Sequence, residues 1–161
     1  SLDLSKEADR KLLSQEVDKL FADCNTTSPG CAAAIIHNGE AIHKRGYGMA
    51  NLEHGIPINA ETIFGMASVS KQFTAMIVAL MAEKGQLSLD DDIRKHLPEI
   101  PDYGHRITIR HLIYHTSGIR DYFPLWYFAG KDIEDTVLED EVLQMLARQK
   151  ELNFKPGDEH L

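Results

Sequence analysis

The segment Gly65–Gly85, GMASVSKQFTAMIVALMAEKG, joins two serines and a lysine to a long apolar run. Between residues 73 and 82 only Thr74 is polar, a pattern that is typical of a helix buried on all sides. Gly85 is the expected residue after the helix end, because glycine readily adopts the left-handed conformation that closes helices. The segment therefore predicts that a helix from about Ser68 to Lys84 is the most buried helix of the chain.

The composition is that of an acidic globular chain. The sequence has 161 residues, 43% of them hydrophobic and 26% charged, with a formal net charge of −8. Nucleic acids and anionic membrane surfaces attract basic proteins, so this charge argues against both as partners. No apolar run reaches the roughly 20 residues that a membrane span needs. The first residues lack the apolar centre of a signal peptide, which fits a cytosolic chain or one already processed.

Cysteines and histidines do not form a metal-binding pattern. Cys24 and Cys31 are too few for a cysteine zinc site, and Cys31 is expected to be a small buried residue at a strand start. A short-loop disulfide between them is the less favoured alternative. His111 and His115 are four residues apart, but the glutamate of H-E-x-x-H and a third ligand are missing. We therefore predict no metal and no cofactor, and we expect His43 at the surface or half-buried.

The remaining pattern predicts a mixed α and β chain. Asn38 and Gly39 separate two apolar runs and form a strong hairpin signal, because both residues tolerate a positive φ. An N-terminal amphipathic helix is expected to pack on one face of this hairpin. Two strands alone do not make a stable sheet, so the hairpin needs further strands beside it. The predicted elements are a helix at 5–21, strands at 31–37 and 41–49, an irregular connection at 51–64, a short helix capped by Asp90, another from Thr108 to Gly118, an aromatic loop at 120–131 and a helix at 139–149.

The aromatic loop has two interpretations. Its side chains could border a substrate cleft, or they could fix the loop to the core. Packing is the more common role of aromatic side chains in long loops, so we favour it here. The residues concerned are Tyr122, Phe123, Trp126, Tyr127 and Phe128.

Ser68 and Lys71 carry the strongest chemical signal. Residues three apart share a helix face, and Ser68 is the one serine among eight that has a lysine three residues on. A serine hydroxyl becomes a nucleophile when a neighbouring base takes its proton, and a desolvated lysine can serve as that base. Backbone N–H groups at a helix start would favour a developing oxyanion. The alternative is a helix-capping Ser68 with a Lys71 ammonium that reaches out to water.

Five stretches in a fixed order resemble one family. They are residues 31–64, ASVSKQFTA at 67–75, GQLSLDDDIRKHLPEIP at 85–101, ITIRHLIYHTSGI at 107–119 and FKPGDEHL at 154–161. Together they resemble the serine β-lactamase and penicillin-recognising enzyme superfamily, in particular the branch of class C β-lactamases, D,D-peptidases and esterases. In that family the first stretch forms two strands and a loop, the second is the nucleophile helix, and the last leads into a Tyr-x-Asn motif.

The resemblance implies a fold and two site residues. The expected fold is α+β, with an antiparallel sheet flanked by helices and a helical region. Residues 1–161 are expected to form a single domain that corresponds to the N-terminal part of this fold. Ser68 resembles the acylated nucleophile and Lys71 its proton partner. The implied activity is acyl transfer and hydrolysis on a β-lactam, a D-Ala-D-Ala-type peptide or an ester.

The resemblance also indicates missing parts. The family's Tyr-x-Asn motif and its later Lys/His-x-Gly strand are not among the 161 residues, so we expect the natural protein to continue beyond Leu161. Catalytic groups that act as a unit fail steeply when one is missing, so this chain alone could be inactive. A second chain that supplies the C-terminal half is one way to complete it. The resemblance favours a periplasmic or secreted protein. The rival function is a non-catalytic binding or sensor domain for a β-lactam or peptide.

Overall fold

A computed structural model describes residues 2–132 and 135–160. They form two compact units, one up to Gly65 and one from Met66 onward. Helices and antiparallel strands occur together, as the predicted α+β class requires. Within the described residues, no helix is both long enough and apolar enough to cross a bilayer.

The predicted hairpin is confirmed in the first unit. Strand β1 (Cys31–His37) pairs antiparallel with strand β2 (Glu40–Tyr47). Asn38 and Gly39 form the turn with φ values of 47° and 81°, the left-handed region that these two residue types tolerate. The sequence therefore determines this hairpin locally.

The second strand ends earlier than predicted, and the connection after it is more regular. Gly48 has a φ of 72°, so the chain leaves the sheet there instead of continuing through residue 49. A Cβ atom on Gly48 would lie 2.8 Å from the Pro29 carbonyl oxygen, so only glycine fits. Strands β3 (Met49–Asn51) and β4 (Ile56–Pro57) then pair antiparallel as a second small hairpin. The prediction of an irregular connection is wrong for this part.

Helix α1 (Glu7–Leu20) packs on β2, as expected. The Tyr47 hydroxyl donates to Asp18 at 2.7 Å, so its oxygen accepts from His43 Nε2 at 2.9 Å. His43 Nδ1 then accepts from the Ser14 hydroxyl at 3.1 Å. Burial and the Asp18 carboxylate raise the pKa of Tyr47 to about 12, which keeps the hydroxyl a donor. His43 is therefore a buried member of a hydrogen-bonded chain, and its prediction as a surface or half-buried residue is wrong.

The two cysteines are half-buried free thiols. Cys31 begins β1, as predicted, but its predicted burial is wrong, because it is only half-buried. Burial, together with the neighbouring Cys24 thiol, raises the pKa of Cys31, so this thiol stays protonated at neutral pH.

The core of the second unit is built from short elements. Ile93, Ile100 and Ile107 are buried against one another, with exposed fractions of 2%, 4% and 3%. The elements of this unit are a 3-10 turn at Ala67–Val69, α2 (Ser70–Glu83), a 3-10 turn at Ile93–Lys95, α3 (Ile109–Ile113), α4 (Tyr122–Phe128) and α5 (Glu139–Ala147).

Helix α2 forms where predicted, but its expected burial is wrong. It ends at Glu83, and Gly85 follows with a φ of 69°, as the sequence indicated. Phe73 and Ile77 have exposed fractions of 61% and 59%, and α2 has no buried residue. An apolar sequence shows that a helix is suited to burial, but burial also requires another segment to pack against it. The described residues do not cover the apolar face of α2.

Two predicted helix boundaries need correction. Asp92, not Asp90, caps the 3-10 turn, because its carboxylate accepts from the backbone N–H of Arg94 at 2.9 Å. Thr108 caps α3 as predicted, but the helix stops well before Gly118. His115 already has a φ of 57°, which ends the helical path.

The aromatic loop is in fact largely helix α4. Asp121 caps it by accepting from the Phe123 N–H at 2.9 Å, and Pro124 lies in the first turn, where proline is tolerated. Trp126 is 4% exposed, and its indole N–H donates to the Asp132 carbonyl. Tyr127 is exposed, so the packing interpretation holds for only part of the run.

Candidate active site

The two candidate residues lie together at the entrance to α2. Ser68 is the middle residue of the 3-10 turn that runs directly into α2, and Lys71 lies in the first turn of that helix. Lys71 Nζ donates a hydrogen bond to Ser68 Oγ at 3.1 Å. The spacing read from the sequence thus brings the hydroxyl and the amine into direct contact.

The alternative role of Ser68 as a helix cap has no support in this geometry. Helix α2 has Val69 at its N-cap position, and no side chain caps it by a hydrogen bond. In residues 2–132 and 135–160, the one hydrogen bond found for Ser68 Oγ is that from Lys71. The alternative in which the Lys71 ammonium reaches water holds in part. Lys71 is exposed to solvent, whereas the sequence suggested that it is desolvated.

Backbone N–H groups at this turn are only partly occupied. The Val69 N–H donates to the Met66 carbonyl at 3.0 Å, and the Ser70 N–H donates to the carbonyls of Ala67 and Ser68. For the N–H groups of Ala67 and Ser68, the described residues provide no acceptor. The Ser68 N–H, which lies on the candidate nucleophile itself, is therefore available to an incoming oxygen atom.

A strained residue precedes Ser68, and sequence reasoning missed it. Ala67 has a φ of 44°, in the left-handed region that costs a non-glycine residue about 1–2 kcal/mol. Such residues persist where the surrounding structure fixes the backbone, and they cluster at functional sites. Alanine gives no sequence signal for this conformation.

Two of the stretches that resemble the family, residues 107–119 and 154–161, lie side by side. The Asn153 N–H donates to the Gly118 carbonyl and the Gly157 N–H to the Thr116 carbonyl, both at 2.8 Å. A Cβ atom on Gly118 would lie 2.1 Å from the Phe154 carbonyl oxygen, so the two segments approach too closely for any other residue. The T-S-G segment (residues 116–118) and the P-G segment (residues 153–157) therefore pack directly against each other.

Ser68 and Lys71 line a groove of about 780 Å³ in the second unit. Ser117 also lines it and is 9% exposed, with its Oγ accepting from the Ile119 N–H at 3.3 Å. Asp121, at the start of α4, also lines the groove. The groove could hold a small substrate against the Ser68 hydroxyl, since ligand sites commonly have this size.

The two histidines considered for metal binding have separate positions. His111 completes the cap of α3, because its Nδ1 accepts from the Thr108 N–H at 3.2 Å. His115 lines the groove, and its ring centroid lies 5.8 Å from that of His160. Within the described ranges, no group of three potential metal ligands occurs.

The sequence matches a known family. Residues 17–161 match the family model described as Beta-lactamase, so the chain belongs to the beta-lactamase family. The fold and the Ser68–Lys71 contact described above are consistent with this membership.

Individual relatives include penicillin-binding and ester-hydrolysing proteins. Penicillin-binding protein 4* of Bacillus subtilis is 35% identical over 111 residues, which are 69% of this chain and 24% of that protein. Esterase EstB of Burkholderia gladioli is 34% identical over 142 residues, 80% of this chain and 36% of the esterase. The structure of EstCE1, titled a hydrolase with promiscuous acyltransferase activity, superposes with a TM-score of 0.72 at 26% identity, over 94% of this chain and 42% of EstCE1.

The chain therefore spans about a quarter to a third of the length of these curated relatives. The relatives support serine hydrolase activity for the family broadly, and the solved structures confirm the β-lactamase-like fold. The family's serine hydrolase chemistry is the starting point for a functional proposal.

Proposed function

We propose that the protein is a serine acyl-transfer hydrolase in which Ser68 carries the acyl group and Lys71 moves the proton. The observation that carries this proposal is the 3.1 Å hydrogen bond between Lys71 Nζ and Ser68 Oγ at the start of α2. A nucleophile in direct contact with a base is the arrangement that covalent catalysis needs.

The chemistry proceeds through an acyl-enzyme. Ser68 Oγ attacks the carbonyl carbon of the substrate, and its proton passes to Lys71 in its neutral form. The bond to the leaving group breaks, and the leaving group takes this proton. Water then attacks the acyl carbon, releases the acid and restores the Ser68 hydroxyl.

The negative oxygen formed during attack needs a donor. The N–H of Ser68 is suited to this role, because it lies on the nucleophile residue itself and the described residues give it no other acceptor. The positive end of the α2 dipole acts in the same direction.

Three substrate classes are compatible with the family: β-lactams, D-Ala-D-Ala-type peptides and esters. The rival proposal, a sensor or binding domain, shares the acylation step but not the release of the acyl group. Steady turnover of an ester or β-lactam favours the enzyme, whereas one equivalent of product followed by a stop favours the sensor.

Labelling tests the assignment of the nucleophile. The full-length gene product is mixed with p-nitrophenyl acetate, quenched in acid and mapped by peptide mass spectrometry. We expect a single acetyl group on Ser68 and none after Ser68→Ala, with Ser70→Ala as the matched control that keeps the label. Acetylation on Ser70 or Ser117, or persistence in Ser68→Ala, would contradict the proposal.

The role of Lys71 is tested by two substitutions. Lys71→Ala removes the base, and we expect acylation to slow by roughly 10²–10⁴-fold, the range of general-base losses. Lys71→Arg keeps the positive charge but does not restore the rate, because a guanidinium does not give up its proton near neutral pH. Recovery of the rate in Lys71→Arg would assign Lys71 an electrostatic role instead.

We also propose that a further segment or a second chain covers α2 in the working enzyme. The support is the apolar and exposed face of α2, with Phe73 at 61% and Ile77 at 59% exposure. Comparison of the intact mass of the purified protein with the length of its gene distinguishes a continuing chain from a partner. A gene that ends after residue 161, together with a monomeric protein in solution, would exclude both.

A further inference from the structure

The first cysteine-bearing element, β1, places its thiol on the hairpin face that α1 covers. Cys31 lies directly opposite Tyr47 in the β1–β2 ladder. Directly opposite residues of an antiparallel pair project from the same face of the sheet, with Cβ atoms about 4.5–5.5 Å apart. The Tyr47 hydroxyl donates to Asp18 in the last turns of α1, so this face is the one on which the helix packs. The Cys31 side chain therefore lies near the end of α1.

The end of α1 carries Cys24 to the same place. Phe21, the C-cap residue of α1, stacks on the Tyr47 ring with centroids 4.7 Å apart and an interplanar angle of 25°. The Cys24 N–H donates to the Phe21 carbonyl at 3.0 Å, which holds Cys24 within one turn of that ring. Tyr47 thus has one cysteine opposite it on the neighbouring strand and the other close to its stacked partner.

The segment between the two cysteines is a tight turn with its own hydrogen bonds. The Asn25 N–H donates to the Ser28 hydroxyl at 2.9 Å, which folds the segment back on itself. A Cβ atom on Gly30 would lie 1.8 Å from the Tyr47 carbonyl oxygen, so the chain returns to β1 along a path that only glycine fits. Both ends of the segment are therefore fixed by contacts within the first unit.

Thiols that are held side by side react as a pair. The Cys24 thiol is close enough to that of Cys31 to contribute, after burial, to the raised pKa of Cys31. Both thiols are reduced and only half-buried, so a small reagent can reach them. When two thiols are held together, a mixed disulfide on the first is attacked by the second, because that step is intramolecular.

We propose that Cys24 and Cys31 form a dithiol site that small-molecule disulfides, such as oxidised glutathione, convert to an internal disulfide. The Cys24 thiolate attacks one sulfur of the small disulfide, a mixed disulfide forms, and one small thiol leaves. The Cys31 thiol loses its proton to solvent and attacks the Cys24 sulfur, and the second small thiol leaves. The two cysteines together lose two electrons, which reduce the small disulfide to two thiols.

The order of attack follows from the surroundings of Cys31. This thiol keeps its proton at neutral pH, and the thiolate is the reactive form, so we assign the first attack to Cys24. The reaction uses neither Ser68 nor Lys71, so the inference is independent of the proposed function. The product is the short-loop pairing that the sequence left as the less favoured alternative.

The disulfide joins the end of α1 to the start of β1. A cross-link that fits the folded chain restricts the unfolded chain, so folding and disulfide formation favour each other. At a fixed glutathione ratio, the folded protein should therefore hold more of the internal disulfide than the unfolded protein does.

Peptide mapping after equilibration with glutathione tests the site. The full-length gene product is incubated with mixtures of oxidised and reduced glutathione, quenched in acid, alkylated and digested with trypsin. The tryptic peptide 20–44 contains both cysteines, and we expect it without alkyl groups, without glutathione and with two hydrogens fewer than the dithiol. In denaturing urea at the same glutathione ratio, the ratio of disulfide to dithiol should fall by roughly tenfold or more.

Three outcomes of this experiment would overturn the proposal. The first is a stable glutathione adduct on the folded wild-type peptide in place of the internal disulfide. The second is a peptide with both cysteines alkylated after incubation with oxidised glutathione alone. The third is an equal ratio of disulfide to dithiol in the folded and the unfolded protein, because the fold would then not hold the thiols together.

Single substitutions test the order of attack. In Cys31→Ser, Cys24 has no partner that resolves the mixed disulfide, so peptide 20–44 should keep one glutathione. In Cys24→Ser, the adduct on Cys31 should form more slowly at neutral pH and faster as the pH rises, because burial keeps the Cys31 thiol protonated. A faster reaction in Cys24→Ser than in Cys31→Ser would contradict the assigned order.

The geometry itself is tested by a matched pair at the end of α1. Phe21→Ala removes the ring that stacks on Tyr47, and the ratio of disulfide to dithiol should fall by about two- to tenfold, the range of an aromatic pair. Leu20→Ala is the control, since Leu20 is the neighbouring residue and is 80% exposed. An unchanged ratio in Phe21→Ala, or an equal loss in Leu20→Ala, would contradict the placement of Cys24 by this stack.

Discussion

Burial departs from apolar composition in two regions of the second unit, in opposite directions. The two regions are helix α2 and the core formed by Ile93, Ile100 and Ile107. Helix α2 is a long apolar helix, yet none of its residues is buried. The isoleucine core comes from short turns and loops without a strong periodic pattern, yet its members are at most 4% exposed. Burial is thus decided by which segments meet, and apolar composition alone does not predict it. The candidate nucleophile therefore lies at the start of an uncovered helix and beside a well-packed core.

Isoleucine truncation gives the largest expected contrast between these regions. In the 161-residue chain, Ile107→Ala should lower the free energy of unfolding by about 2–5 kcal/mol, because Ile107 is 3% exposed and its loss leaves a cavity. Ile77→Ala should change it by less than about 0.5 kcal/mol, since Ile77 is 59% exposed and alanine is the better helix former. Urea unfolding followed by circular dichroism measures both.

The same pair of variants sharpens the proposal that α2 is covered in the working enzyme. If a further segment or a second chain covers α2, Ile77→Ala becomes a large-to-small core substitution in the full-length protein, with a loss of about 2–5 kcal/mol. Equal small effects in the short and the full-length protein would show that α2 stays exposed.

Glycine substitution gives the next contrast, within the loops of the second unit. Gly118→Ala should lower the free energy of unfolding by about 2–3 kcal/mol, because its Cβ would lie 2.1 Å from the Phe154 carbonyl oxygen at a φ of 72°. Gly130→Ala is the control, with a φ of 80° and no atom within 4 Å of the added Cβ. Gly130→Ala should lower the free energy of unfolding by only about 1 kcal/mol, which is the cost of the left-handed conformation for alanine. Thermal and urea unfolding of the two variants should differ accordingly, and equal losses would show that the T-S-G and P-G segments are not tightly packed.

Sequence patterns predicted the elements that local chemistry determines. Asn38 and Gly39 encode their turn, Gly85 encodes the end of α2, and Thr108 encodes the cap of α3. Each of these signals acts within a few residues, so no knowledge of the tertiary structure is needed. The spacing of Ser68 and Lys71 is a local signal of the same kind, and the structure places their side chains in contact.

The errors arise where distant segments decide the outcome. The buried position of His43 depends on Ser14 and Tyr47, which the sequence alone does not bring together. The left-handed Ala67 has no composition signal, although it directly precedes Ser68. Each of the three successive aspartates at 90–92 could cap a helix, because all three have the same side chain. In the structure Asp92 is the cap, since the 3-10 turn begins directly after it. The sequence did not predict helix α4, because its aromatic residues do not alternate with polar ones to give a clear apolar face.

Helix capping gives a smaller contrast. Thr108→Ala should lower the free energy of unfolding by about 1 kcal/mol, because Thr108 Oγ1 accepts from the His111 N–H and the His111 ring accepts from the Thr108 N–H. Thr74→Ala on exposed α2 is the matched control. Its hydroxyl makes only a long 3.5 Å bond to the Ser70 carbonyl, so the substitution should be neutral or slightly stabilising. A larger loss for Thr74→Ala would contradict the exposure of this helix.

The smallest expected effect is a pH dependence centred on Asp91, in the segment that leads into the isoleucine core. The Asp91 carboxylate accepts from the Ser88 N–H at 3.0 Å and from Lys95 at 2.9 Å, and these bonds hold its pKa well below the usual range. A lowered pKa in the folded state means that the contribution is complete above the unfolded value, about 3.9, and is lost as the pH falls below it. Wild-type protein should therefore lose more stability between pH 6 and pH 3 than Asp91→Asn does, as measured by urea midpoints. A pH dependence that is equal in the wild type and in Asp91→Asn would remove Asp91 from this role.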